Sequence, residues 1–436
     1  MVNVTRISTQ RKIYISLGNA SVFVLATLLL FPKIAIGSGS GVLIGEIGLF
    51  LIAPLLLAVQ SINLSHRSAV AMLLFASFLV SYIYFPYALT LFSGEDVGLK
   101  SVFYTARVVG YALVGLLLCT GALKNKSDHA LYIILRNSFL LHAVMALGYF
   151  AWAFARIEPS VGEIIGSVNA GSRLSPLYGM VVTGGELPLN VVGGGSANLL
   201  ASHALAVLVA AYYFEKSRKV EIILYLLAVT LLLFGQSRGG VLTLLLWGSV
   251  RAFVLRRRSP TEFSTTLFVV LCIVAFTYMI ASLADTLALF RRVSDAFEIG
   301  ELDGSSQSRL QNYAAVFNVW ISSPFYMLFG LGLDESALQA RTGWTVVESM
   351  YLSVLFCGGL LSATLFCVFV GYVFRIAQGC PWLRVLKVFL IVNSVFNWSV
   401  TGGDITSAPS LFSIFFFLGA SGRRVFVGSA FVNRVR

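Results

Sequence analysis

Charged side chains are scarce in this chain. Its 436 residues include 31 Lys and Arg and 19 Asp and Glu, so 11% are charged, whereas soluble domains carry about a quarter. Apolar residues make up 58% of the chain. This composition excludes an ordinary soluble domain and indicates that lipid surrounds much of the folded chain.

Cysteine and histidine are also few, and their spacing disfavours several kinds of site. The five cysteines include no Cys-x-x-Cys pair, which argues against a disulfide framework and a thiolate metal site. The four histidines lack ligand spacing, so we expect no metal and no cofactor. Without a Walker loop, a dinucleotide fingerprint or an Asp-x-Asp pair, nucleotide-driven transport and sugar-nucleotide chemistry are disfavoured.

Uncharged runs long enough to cross a bilayer recur along the chain. Helices are expected, because backbone groups in lipid must pair within their own segment. The sequence therefore predicts an all-α polytopic integral membrane protein, with residues 1–436 forming a single membrane domain. About twelve spans are predicted, at 13–31, 42–60, 69–92, 101–123, 130–155, 193–214, 220–235, 238–255, 264–289, 347–374, 383–400 and 405–422.

The distribution of basic residues predicts the orientation of these spans. Twenty of the 31 Lys and Arg residues fall on the side that holds both ends of the chain, and cytoplasmic loops retain positive charge. We therefore expect both termini in the cytoplasm. The net charge of +12 is explained by this topology, without a nucleic-acid partner.

Two segments on the opposite side are too long to be simple connections. They are residues 156–192 and residues 290–346, and loops of this length are usually functional. The second contains an amphipathic helix predicted to begin near Ser306, end before Pro324 and lie on the membrane surface. Its predicted apolar stripe consists of Leu310, Tyr313, Ala314, Phe317, Trp320 and Ile321.

The stretch FGQSRGGVL, at 234–242, interrupts two apolar runs with polar residues and glycine. Arg238 is predicted to open the eighth span. A helix N-terminus offers unpaired N–H groups and partial positive charge, and an arginine adds a two-pronged donor. The pair suits a pyrophosphate, although an arginine that only anchors the span at the interface explains the residue as well.

Three predicted spans begin on the same outer face, where their N-termini are expected to converge. The sixth begins with GGGSAN, at 193–198, and the eighth with Arg238. The tenth carries Glu348 in its first turn. An ionisable residue at membrane depth is a functional candidate, so Glu348 is our candidate general base. A carboxylate that only stabilises the helix N-terminus is the alternative.

Taken in order, four features resemble the O-antigen polymerase and O-antigen ligase superfamily, the Wzy-type family of surface polysaccharides. They are a Gly- and Ser-rich loop with Arg173, then SRGG (237–240), then SRLQNYAAVFNVW with SSPFYMLFGLGLDES, and then ESMYLSVLFCGGLL (348–361). The resemblance covers about 165–375 well. It implies a GT-C-like, metal-independent inverting glycosyltransferase that acts on undecaprenyl-pyrophosphate-linked glycans.

The resemblance also assigns roles to individual residues. It matches Arg173 and Arg238 to positions that bind the lipid pyrophosphate, and Arg309 to the arginine that opens the helix of the second loop. Because the departing pyrophosphate accumulates negative charge, we assign these three arginines to a pyrophosphate clamp, with Arg341 as a weaker member. The chemistry of the residues themselves, rather than the resemblance, makes Glu348 the candidate to remove the acceptor proton, and Ser237 of SRGG is expected to contact substrate. Aromatic side chains that would stack on sugar rings are Tyr178, Trp344 and Tyr351.

Three functions remain open at this point. The ligase branch of the family is expected to place a histidine where this chain has Glu348, which favours a polymerase. A ligase that transfers the glycan to the lipid A core is the first alternative. A transporter or flippase of lipid-linked oligosaccharide is the second, although its charges should line many spans.

The resemblance implies a location and partners. We expect a multi-pass protein of the bacterial inner (cytoplasmic) membrane whose active face is periplasmic. Expected partners are undecaprenyl-pyrophosphate-linked oligosaccharide, membrane lipid and a polysaccharide chain-length regulator, with no nucleic acid.

Overall fold

A computed structural model of the chain describes its helical part. The described residues are 33–36, 40–43, 65–92, 99–119, 127–156, 189–190, 197–234, 238–253, 304–344, 347, 349–395, 398 and 405–423. Predicted spans 13–31 and 264–289, and most of 42–60, lie outside them.

Fourteen α-helices occupy most of the described residues. In chain order they are α1 His66–Leu79, α2 Phe85–Phe92, α3 Leu99–Cys119, α4 Asp128–Arg156, α5 Ala197–Phe214, α6 Arg218–Phe234, α7 Arg238–Phe253, α8 Gly304–Ile321, α9 Pro324–Phe329, α10 Glu335–Thr342, α11 Met350–Phe356, α12 Gly359–Ile376, α13 Pro381–Val395 and α14 Ala408–Gly422. The helical fold class is therefore confirmed for this part of the chain.

Two stretches of these helices are long and apolar enough to cross a membrane. Within the described residues they are His66–Ala88 and Gly359–Gly379. Four shorter apolar helices accompany them: Ala106–Leu118, Ala201–Phe214, Gly240–Arg251 and Pro409–Gly422.

A small antiparallel sheet is an addition that the sequence did not predict. Its strands are β1 Lys33–Ile36, β2 Ser40–Leu43 and β3 Leu189–Asn190, in the order β2-β1-β3. Lys33 pairs with Leu43 on one side and with Asn190 on the other. The sheet joins a hairpin near the start of the chain to the segment that leads into α5.

Helix α14 lies at the centre of the packed helices. Its aromatic residues Phe412, Phe415, Phe416 and Phe417 are each at most 1% exposed. The helix approaches α3 closely, because a Cβ at Gly419 would be 2.5 Å from the carbonyl oxygen of Gly115. Small residues are what permit such close helix contacts in membranes.

At one end of the helical bundle, which we call the Asp128 end, ion pairs and hydrogen bonds join several helices. Asp128, at the start of α4, accepts hydrogen bonds from the Trp382 indole (2.9 Å) and from the buried Arg423 guanidinium. The Ser65 amide donates to the Gly422 carbonyl (3.0 Å). These contacts join the ends of α1, α4, α13 and α14.

Two further ion pairs lie at the Asp128 end. Arg251 contacts Glu221 (2.6 Å) and Arg136 contacts Glu215 (3.2 Å). Burial by itself would raise the pKa of Glu215. Hydrogen bonds from the Ser217 amide, the Tyr132 hydroxyl and the Lys216 amide, with the Arg136 charge, outweigh it and hold that pKa below its usual value.

Two helices are irregular in the middle of a predicted span. The span predicted as continuous over 347–374 is broken between α11 and α12, where Gly359 has φ +73. The span predicted over 69–92 contains a π-helical turn, Val80–Tyr84, between α1 and α2. Pro86 lies two residues after this turn. It has no N–H to donate to the Tyr82 carbonyl, and its ring crowds that carbonyl, which explains the wider turn.

Candidate functional site at the Met350 end of the bundle

The opposite end of the bundle, which we call the Met350 end, contains the start of α11. The Met350 amide donates to the Trp398 carbonyl (2.8 Å), and the Trp398 amide donates to the Asn393 carbonyl (2.9 Å). Trp398 is fully buried and its ring packs edge-on against Phe389. The first turn of α11 is thus fixed by backbone hydrogen bonds to the segment after α13.

Side-chain hydrogen bonds connect the end of α13 to α5 and α14. Ser202 donates to the Asn393 amide oxygen (3.4 Å), and Ser410 donates to Ser202 (3.3 Å). Ser407 donates in turn to Ser410 (3.0 Å). All four side chains are buried, so the hydrogen bonds offset the cost of placing polar groups in a low-dielectric interior.

Two of the three helices predicted to begin close together are joined through this network, and the third packs beside one of them. Helices α5 and α7 pack against each other, and their first residues, Ala197 and Arg238, both belong to the Met350 end. Helix α11 is joined to α5 through Trp398, Asn393 and Ser202.

The π-helical turn faces the break between α11 and α12. The Tyr82 hydroxyl is 2.7 Å from the Ser353 hydroxyl, and the Ser81 hydroxyl is 2.6 Å from that of Ser362. Ser362 also donates to the Gly358 carbonyl (2.6 Å). The π-helical turn thus contacts both α11 and α12, on either side of the break.

Residues 330–332 bind the break from the other side. The Leu331 amide donates to the Phe356 carbonyl (2.8 Å) and the Gly332 amide to the Cys357 carbonyl (3.0 Å). A helix end leaves such carbonyls without partners. The break is therefore completed by backbone of the second long segment.

The described part of that second segment, residues 304–344, is largely helical. Helix α8 packs on α9, α10 and α11, and it begins at Gly304, two residues before the predicted start at Ser306. Trp320, predicted on an exposed apolar stripe, is instead 7% exposed. Its ring packs against Phe356 of α11 (5.4 Å between centroids), because the face turned to the protein needs apolar residues too.

Four predicted site residues with described side chains lie on this packed group. Arg309, near the start of α8, and Trp344, after α10, are half-buried. Arg341 donates to the Leu331 carbonyl (2.6 Å) and lies 5.6 Å from the centre of the Tyr326 ring. Tyr351 of α11 is 40% exposed. Arg341 thus has a structural contact beside any contact with substrate.

The remaining predicted site residues are only partly described. Arg238 is the first residue of α7, as predicted, while its side chain lies outside the described part. Glu348 lies outside it as well, between the described Val347 and Ser349. Arg173, Tyr178 and Ser237 are also outside the described residues.

Comparison with known families decides the identity of the region around this site. Residues 223–367 match the family model described as O-antigen ligase. Residues 223–367 are an O-antigen ligase/polymerase family domain. No curated protein matches the chain.

The O-antigen ligase/polymerase domain runs from α6 to α12 and includes Arg238, Arg309, Arg341 and Glu348. Members of this family are membrane enzymes that transfer lipid-linked glycans. Within the described residues, no group of three His, Cys, Asp or Glu side chains is placed to hold a metal ion.

Several residues that shape the site were not singled out from the sequence. They lie outside the O-antigen ligase/polymerase domain or in the middle of a span: Ser81, Tyr82, Ser202, Ser353, Ser362, Asn393 and Trp398. The available signal was a polar side chain inside an apolar run, which is costly in lipid unless it has a partner.

A Tyr82→Phe variant tests whether the π-helical turn positions α11. It deletes one hydroxyl and retains the ring that stacks on Phe78. We expect about 1–2 kcal/mol of lost stability, because the buried Ser353 hydroxyl loses its partner, and a several-fold slower glycan transfer. Thermal unfolding in detergent and transfer rate in membranes are the two measurements.

Tyr225→Phe is the matched control, because Tyr225 donates a buried hydrogen bond of similar length (2.6 Å) to the Leu244 carbonyl between α6 and α7. It should lower stability comparably and leave the transfer rate unchanged. Equal rate losses in the two variants would show that Tyr82 acts through stability alone.

Proposed function

We propose that the chain is a surface-polysaccharide polymerase. It joins undecaprenyl-pyrophosphate-linked glycan units at the periplasmic face of the inner membrane and releases undecaprenyl pyrophosphate. The observation that carries this proposal is the family match over 223–367, which includes Arg238, Arg309 and Glu348.

The proposed reaction assigns one task to each residue type. A hydroxyl of the acceptor sugar attacks the anomeric carbon of the donor glycan from the face opposite the pyrophosphate, and the bond to the pyrophosphate oxygen breaks. Glu348 accepts the hydroxyl proton, a step that typically contributes about 10²–10⁴-fold. Arg173, Arg238 and Arg309 stabilise the negative charge on the departing pyrophosphate, in place of a metal.

The surroundings of these residues support the proposal. Arg309 lies on the helix whose Trp320 packs on α11, and Glu348 directly precedes Ser349 at the start of α11. The first turn of α11 is held by Trp398 and Tyr82. Catalytic groups need such support to keep their geometry.

Transfer of the glycan to the lipid A core is the second candidate, because the matching family is described as O-antigen ligase. Three of the four histidines weigh against it, and the side chain of the fourth, His142 of α4, lies outside the described part. His66 begins α1 and His129 bonds the Phe214 carbonyl at the Asp128 end, while His203 is fully buried against Phe139. The position expected for a ligase histidine holds Glu348.

The deciding experiment restores polysaccharide synthesis in a strain that lacks its own polymerase. Wild type is expected to produce a ladder of chain lengths. Arg238→Ala and Glu348→Gln, at matched membrane expression, should leave single repeats attached to the lipid core. EDTA should not change the reaction in isolated membranes.

Arg384→Ala is the matched control, because Arg384 is exposed and belongs to α13 near the Asp128 end; it should retain the ladder. If Arg238→Ala and Glu348→Gln retain it too, the assigned site is wrong. If wild type restores only the transfer of preformed chains, the protein is a ligase.

A further inference from the structure

Helix α8 has one face that packs on the rest of the protein. Asn312, Val316 and Trp320 recur every fourth residue and are 2%, 0% and 7% exposed. Trp320 and the neighbouring Phe317 both contact the Phe356 ring of α11. This protein-facing side fixes the rotation of the helix about its axis.

A second face of α8 is apolar and exposed. Leu310, Phe317 and Ile321 are 55%, 42% and 51% exposed, and Ala314 between them is exposed too. At about 100° per residue these four fall within roughly 60° of arc. They form one continuous apolar strip, which we call the Leu310 strip.

A third face is polar and exposed. Gln311 and Asn318 are exposed, and Ser322 follows at the end of the helix. Their arc is centred about 90° from that of the Leu310 strip. The helix therefore presents an apolar side and a polar side next to each other, with protein behind both.

The depth of the Leu310 strip relative to a bilayer follows from α9 and α12. In α9, Phe325 and Leu328 are each 46% exposed. The Leu328 carbonyl lies so close to Gly359 that a Cβ there would be 2.3 Å away. Directly after Gly359, Leu360 (43% exposed) begins the exposed apolar side of α12, a helix long enough to cross a membrane.

We propose that α8 lies at the boundary between the hydrocarbon and headgroup layers of the membrane. The acyl chains of membrane lipids cover the Leu310 strip, and water covers the Gln311 and Asn318 side. A bilayer boundary supplies both surroundings to adjacent sides of one helix, whereas a protein partner seated on the strip supplies only one.

The orientation has a consequence for Arg309, which holds only if the proposed function is right. At about 100° per residue, Arg309 falls between Val316 and Trp320 on the protein-facing side. A helix held at the headgroup layer keeps that guanidinium at the depth of lipid phosphates and directed toward α11.

Single-cysteine labelling of the full chain tests the proposal. The five native cysteines are replaced, and single cysteines are introduced one at a time by Phe317→Cys, Ile321→Cys, Gln311→Cys and Asn318→Cys. Each single cysteine is labelled with a nitroxide, and the protein is placed in vesicles of phosphatidylethanolamine and phosphatidylglycerol. Collision rates are measured with oxygen, which concentrates in hydrocarbon, and with a water-soluble nickel chelate. Val368→Cys on α12 (48% exposed) is the lipid-side reference, and Lys219→Cys, exposed near the start of α6, is the water-side reference.

Labels at 317 and 321 should resemble the Val368 reference, with oxygen favoured several-fold, and labels at 311 and 318 should favour the chelate. Chelate access at 317 and 321 equal to that at 318 would overturn the proposal, because α8 would then lie in water. Low access of both reagents at 317 and 321 would also overturn it, because protein would cover the strip. Neither result depends on whether the chain is a polymerase.

Discussion

A Gly330→Ala variant should lose most of the folded protein that wild type yields in detergent. Gly330 has φ +86, and a Cβ there would be 2.1 Å from the Cys357 carbonyl oxygen. At φ 86 and ψ 172 the backbone lies in a region that essentially only glycine adopts, which costs a side chain about 1–3 kcal/mol, and overpacking costs about 1–3 kcal/mol more. The obstructing atom belongs to the backbone of the helix break, so it cannot rotate away.

Two other glycines separate the causes of this loss. Gly343 has φ +78 with nothing within 4 Å of a Cβ, and Gly371 in α12 has open space around it. Gly343→Ala should cost only the backbone strain, and Gly371→Ala should be neutral or slightly stabilising. Thermal unfolding followed by size-exclusion chromatography measures all three. A Gly330→Ala midpoint no lower than that of Gly343→Ala would show that residues 330–332 do not dock at the break.

An Asp128→Ala variant should destabilise the Asp128 end far more than Arg423→Met. The Arg423 side chain is 0% exposed and the Asp128 side chain 36% exposed. Removing Asp128 leaves a buried guanidinium without its carboxylate, which costs about 3–5 kcal/mol. Removing Arg423 leaves a carboxylate that water reaches, so we expect a loss of about 1 kcal/mol.

The double variant Asp128→Ala/Arg423→Met tests the asymmetry. It should regain most of the stability that Asp128→Ala loses, because the buried Arg423 charge is removed together with the carboxylate that it contacts; the Trp382 indole still loses its acceptor. Chemical denaturation of protein held in detergent measures the three losses. Equal losses in the two single variants would show that Arg423 is hydrated in the folded protein.

Much of the helical fold was predictable because the lipid requirement acts on each span by itself. Apolar runs at 130–155 and 220–235 predict helices that the structure places at Asp128–Arg156 and Arg218–Phe234. The start of α7 at Arg238 was also predicted, from the polar interruption before it.

Features that depend on contacts between distant segments could not be predicted this way. The break after α11 is completed by residues 331 and 332, which precede it by some 25 positions. The link between Ser202 and Asn393 joins residues 191 apart. Hydropathy also carries no information on strand pairing, so Leu189–Asn190 beside Lys33–Ile36 was missed.

The candidate site was likewise predictable only in the features that do not depend on contacts between distant segments. The chemistry of individual residues suggested the arginines and Glu348, but not how they are held. Rotation of α8 about its axis decides that Trp320 packs inward and Leu310 outward, and an amphipathic pattern alone does not fix that rotation. Tyr82 was missed because its partner, Ser353, lies 271 residues away.

The docking of residues 330–332 on the α11–α12 break also limits how this protein can be recombined with its relatives. Leu331 and Gly332 supply hydrogens to two carbonyls that would otherwise be stranded in an apolar environment. Gly330 and Gly359 keep the two backbones in contact. Chimaeras that exchange substrate preference should therefore exchange residues 328–362 as one block. A crossover between 333 and 356 would take residues 330–332 and the helix break that they contact from different proteins.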